Sequence, residues 1–167
     1  MQFFFEWHWL GACYLALVAV PLAVIDWQSH RLPNKLVLPS FAVTGLGFLA
    51  ALTQGFAMAL VLQALLLSVA TFVFGLIANR FASLGMGDVK LLAAISLAFG
   101  WQSTMVIIWV IAIAMTLAAF YILTKFFSGA IKMGQSIALG PFLLLALVIV
   151  QGWSLTAHQV PYLAAPW

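Results

Sequence analysis

Charge is what this 167-residue chain lacks: Asp, Glu, Lys and Arg together make up 5% of it, and only three of its residues are acidic. A water-soluble domain of this length carries roughly 25% charged residues, so the shortage excludes a soluble globular domain. Cysteine is nearly missing too. The single thiol, Cys13, lies in an apolar run, which excludes an internal disulfide framework and a cysteine-clustered zinc module. The net charge of +3 is small and scattered, and no basic stripe with interleaved aromatics points to nucleic acid. The opening "MQFFFEWHWL" has no basic segment and carries Glu6, so the first hydrophobic run reads as a retained helix and not a cleaved signal. What fills the chain instead is apolar side chain, 66% of all residues. The expectation is an all-α integral membrane protein, with residues 1–167 as one transmembrane domain in contact with lipid and no soluble zinc-binding segment.

Apolar runs at about 9–25, 36–53, 58–78, 89–100, 104–124 and 136–153 predict six helices. Five of them reach the roughly 17 to 25 residues needed to cross a hydrocarbon core about 30 Å thick, and the fourth is short. The basic residues decide how it is counted. Arg31 and Lys35 follow the first helix, Arg80 and Lys90 flank the gap after the third, and Lys125 and Lys132 follow the fifth. With six full crossings all of these fall on one side, which the positive-inside rule makes cytoplasmic, leaving both termini on the other side with Glu6. A fourth helix that failed to cross would move Lys125 and Lys132 outside. Trp7, Trp9, Trp101, Trp153 and Trp167 then form an outer aromatic belt, with Trp27 at the inner interface and Trp109 in mid-helix.

Two of the three acids sit in polar islands. Asp26 ends the first run in "VIDWQSHRLPNKLVLP", and Asp88 opens the fourth in "LGMGDVKLLAAI". With two crossings between them, both lie at the same, cytoplasmic face. Ionisable groups in a membrane bundle are costly and mark a functional path. Two carboxylates that share a site resist being ionised together, so one holds a proton while the other is charged. Such a pair offers a base and an acid at once, as activating a water against a peptide carbonyl requires. Gly85 and Gly87, lacking Cβ, would let the backbone turn tightly before the fourth helix and let an extended substrate approach. Pro33 biases Leu32 to an extended conformation and interrupts the helix near Asp26.

Plainer explanations stand beside these. Asp88 near a helix N-terminus is favoured by the macrodipole without any catalysis. Lys90, two residues on, points to another helix face and can snorkel to the cytoplasm. His30 has no second ligand nearby and reads as solvated, Arg31 and Lys35 serve topology, and Gly140 with Pro141 suits a helix start.

At these residues the chain resembles the type IV prepilin leader peptidases, intramembrane aspartic proteases of the GxGD type. "IDWQSHRLPN" is similar to that family's first motif, "GMGDVKLLAA" to its second, and "LGPFLLLAL" to its third. The resemblance implies that Asp26 and Asp88 are catalytic. It casts Gly85, Gly87 and Lys90 as support for the second aspartate, and Arg31, Pro33, Asn34, Gly140 and Pro141 as supporting or substrate-binding residues. It also implies a multi-pass protein of the bacterial cytoplasmic membrane, with prepilin or pseudopilin substrates and neither cofactor nor metal. The paired cysteines that larger members use in N-methylation have no counterpart, so the chain is similar to the short, peptidase-only form that serves Flp/Tad-type pili. Presenilin-type proteases share G-x-G-D but place Tyr before the first aspartate, where this chain has Ile25. A non-enzymatic transporter or assembly factor would instead use Asp26 and Asp88 for ions or protons along a continuous path.

Overall fold

The computed structural model of the chain is described over residues 6–29, 32–82, 84–128 and 139–159. Arg31, His30, Lys132, Trp167 and the expected helix start at 136 lie outside them. Among the described residues there are six α-helices: α1 (Leu10–Ser29), α2 (Asn34–Thr53), α3 (Met58–Ala82), α4 (Met86–Phe99), α5 (Thr104–Phe127) and α6 (Gly140–Gln159), preceded by a 3-10 turn at Trp7–Trp9. Four of them, α1, α2, α3 and α5, are long and apolar enough to cross a membrane, and α6 is apolar over Gly140–Trp153. The protein is a multi-pass, all-helical membrane protein, as the sequence predicts.

Local chemistry sets the helix boundaries. Pro33, with φ −71° and ψ 122°, is extended and caps α2, because the residue before it and its own ring oppose a continuous helix. At the far end of α2, Gly55 adopts φ +88°. There the Phe56 N–H donates to Ala51 O and the Gly55 N–H to Leu52 O, a Schellman closure that only an achiral residue takes without strain. Ser103 caps α5 by accepting from the Met105 N–H at 3.1 Å.

α4 explains the run that is too short. At 1.5 Å per residue its 14 residues extend about 21 Å, well under the roughly 30 Å of hydrocarbon. Asp88, Val89 and every residue from Leu91 to Phe99 are buried, and α4 touches each of the other helices. A helix apolar all round and wrapped by protein has no face toward lipid, so the membrane does not dictate its length. The outer helices instead turn side chains such as Leu17, Leu66 and Phe120 outward, as a lipid-facing surface requires.

α3 and α4 pack antiparallel and close. Gln63 Nε2 donates to Gly100 O at 2.7 Å near one end, Ser68 Oγ to Ala93 O at 2.9 Å in the middle, and Asn79 Nδ2 to Leu84 O near the other. At Gly75 an added Cβ would lie 2.7 Å from Val89 Cγ1, so the glycine permits this approach. Mid-bundle hydroxyls are satisfied within their own helices: Thr44 bonds back to Ser40 O, and Ser96 to Leu92 O.

The bundle therefore has two distinct ends. At one, the His8 ring lies 4.4 Å and the Trp9 ring 5.0 Å from Trp101, and Gln151 Nε2 meets Gln102 Oε1 at 3.5 Å. Glu6 sits there too, 3.4 Å from His8 Nε2. The chain reaches the opposite end at Asp26, Leu32, Asp88 and Gly140.

Candidate active site

Asp26 lies inside α1 and not at its end, because the helix continues one turn to Ser29, whose Oγ donates back to Ile25 O at 2.7 Å. Its carboxylate thus points from the last turn into the bundle, where it is 3% exposed. Asp88 occupies the first turn of α4 and is 7% exposed. The two carboxylates interact electrostatically, and the Gly140 amide acts on both. It donates to Asp26 Oδ2 at 3.1 Å. Asp88 Oδ1 is buried with no hydrogen-bond partner among the described residues. A buried acceptor without a partner costs free energy.

Three glycines make this convergence possible, each by what it lacks. A Cβ at Gly140 would sit 2.6 Å from Asp26 Oδ2, one at Gly85 2.8 Å from Asp88 Oδ2, and one at Gly87 2.8 Å from Leu32 Cβ. The expectation that Gly85 serves a tight turn needs correcting. Its φ of −61° and ψ of 134° suit any residue, so the requirement is space beside the carboxylate and not backbone freedom.

The polar ends of the two motifs also meet. Lys90 Nζ donates to Asn34 Oδ1 at 3.0 Å, so the lysine that sequence spacing leaves to snorkel instead ties the first turns of α2 and α4 together. Pro141 stands in the first turn of α6, where its missing N–H costs no helical bond. Arg31 lies outside the described residues. Sequence reasoning missed Leu32, which is buried among these groups; its signal is an apolar letter inside the polar string R-L-P-N. Among the described residues no cluster of three or more His, Cys, Asp or Glu could hold a metal. Lys35, Arg80 and Lys125 belong to the helix ends on the Asp26 side.

The arrangement is a buried pair of carboxylates beside the Gly140 amide, at one end of a largely apolar bundle. Neighbouring carboxyl groups of this kind can pass a proton to and from a bound water or carbonyl. The model of the type IV leader peptidase family matches residues 13–123, which include both aspartates. No curated protein and no solved structure matches the chain.

Proposed function

The chain belongs to the type IV leader peptidase family, and from that premise we propose that it is an aspartic endopeptidase whose catalytic pair is Asp26 and Asp88. Its substrates are type IV prepilins of the Flp kind, from which it removes the short basic leader at the cytoplasmic face of the bacterial inner membrane. The observation that carries this reading is the burial of both carboxylates beside the Gly140 amide. In the reaction, the ionised partner takes a proton from water as the oxygen attacks the scissile carbonyl carbon. The protonated partner donates its proton to the carbonyl oxygen, giving a neutral gem-diol. The C–N bond then breaks as the amine leaves with a proton from the first carboxyl, and the second recovers its own from the diol. The basic residues on the Asp26 side support the cytoplasmic placement under the positive-inside rule. A carrier would place acids along a path through the bundle, whereas both of these acids stand at one end.

The test is cleavage of a candidate prepilin in reconstituted membranes. Asp26→Asn and Asp88→Asn keep side-chain size but cannot exchange the proton, so each should lower the rate by about 10²- to 10⁴-fold. The double variant should be no worse than either, since the pair acts as a unit. A well-folded single variant that trims at the parent's rate would show that aspartate to be structural.

A further inference from the structure

Leu32 stands in the short connection between α1 and α2, yet it is only 8% exposed. Its neighbours explain why. A Cβ at Gly87 would meet Leu32 Cβ at 2.8 Å, its backbone N at 3.3 Å and its Cδ1 at 3.4 Å; a Cβ at Gly140 would meet the same Cδ1 at 3.4 Å. One side chain therefore reaches from the residue directly before Asp88 to the residue whose amide holds Asp26. Its own backbone is held as well. Pro33 fixes the next φ at −71°, and Asn34 is tied to Lys90 at 3.0 Å. The connection is pinned against the starts of α4 and α6.

We propose that Leu32 is a positioning residue for the reaction, an apolar wedge between the starts of α4 and α6 that sets the separation of the two carboxylates. This rests on the protease reading given above. Buried side chains pack at crystal-like density, so a methyl group lodged between two bare backbones fixes how near they come. Without it, α6 and α4 are free to close on the vacated space, and the Gly140 amide moves with α6. The wedge touches no reacting atom. Its effect is on the turnover of bound substrate.

The test uses the full chain in proteoliposomes with a prepilin, and the parent's cleavage together with its loss in Asp26→Asn checks the protease reading separately. Leu32→Ala should lower kcat by about 10- to 100-fold, the scale of an ångström's misplacement, with KM within about twofold of the parent's. Leu32→Met keeps length and apolarity and should stay within about threefold. A parent-like kcat in Leu32→Ala, a loss confined to KM, or an equal loss in both variants overturns the proposal. Should Leu32→Ala fail to fold, Leu32→Val takes its place with the same outcomes. The contact is also readable without any activity. Gly87→Ala should lower Tm by about 5 °C when Leu32 is present, and by much less in a Leu32→Gly background. Equal penalties in the two backgrounds overturn the wedge whether or not the chain cuts prepilin.

Discussion

Gly140→Ala adds one methyl group where the structure has least room for it. The new Cβ would lie 2.6 Å from Asp26 Oδ2 and 3.2 Å from its Cγ, whereas ordinary contact begins at 3.4 Å. The carboxylate must retreat by about 0.8 Å, or α6 must back away by as much. Either motion stretches the 3.1 Å hydrogen bond from the Gly140 amide beyond useful length. Overpacking of this kind costs about 1–3 kcal/mol, and a hydrogen bond to a charged acceptor is worth about 1.5–3 kcal/mol. A displacement near 1 Å at a reacting group lowers the rate by about 10²-fold. Gly140→Ala should therefore cut prepilin roughly a hundredfold more slowly and melt several degrees lower. Gly45→Ala is the control, since a Cβ there meets nothing within 4 Å and alanine improves helix propensity by about 1 kcal/mol. It should melt no lower and cleave like the parent. Both are read by initial rates in reconstituted membranes and by melting in detergent. A Gly140→Ala protein within threefold of the parent's rate would refute the account of how Asp26 is held.

Reporter fusions at Gln54 and Gln102 should place those loops on one side of the membrane and a fusion near Lys35 on the other; agreement of all three would contradict an alternating bundle. Lys90→Met removes the link to Asn34 and should lower the cleavage rate by about three- to tenfold, read at saturating substrate, since a single such hydrogen bond is worth about 1 kcal/mol. Ser68→Ala gives up its bond to Ala93 O and should cost about 0.6 kcal/mol of stability, measured by melting, with cleavage unchanged. On the substrate, a bulky replacement for the small residue before the cut should slow cleavage more than neutralising the leader's basic residues. The reverse ranking in the same assay would remove backbone access to the dyad as the basis of recognition.

Much of this protein is legible in its sequence because lipid imposes a coarse code. Runs of apolar residues gave all six helices, including those that pass through Pro21 and Pro39, which helices in membranes tolerate. The basic residues and the parity of the crossings are enough to bring Asp26 and Asp88 to one end. The code fails where protein replaces lipid as the solvent. α4 is read as marginal by hydropathy length, yet it is the most enclosed helix of the bundle. Hydropathy cannot distinguish a helix facing lipid from one facing other helices. The local register failed for a similar reason: Asp26 looked terminal because a charged residue usually ends an apolar run, and only packing on α6 and α4 supports it a turn earlier. Contacts between distant segments, such as Lys90 with Asn34 and Leu32 with Gly87 and Gly140, leave no periodic trace in one sequence.

The enclosure of α4 also orders events during biosynthesis. Its 14 residues are made after α3 and before α5 and α6, so two of the helices that enclose it come later. Too short to span the hydrocarbon alone, it has in α3 the neighbour it needs, joined to it by the bonds from Gln63, Ser68 and Asn79. Asp88 arrives with it, before the amide that Gly140 supplies from α6. A nascent chain that stops short of α6 thus carries both acids without the Gly140 amide that holds Asp26, and the arrangement of the pair is complete only once α6 has packed.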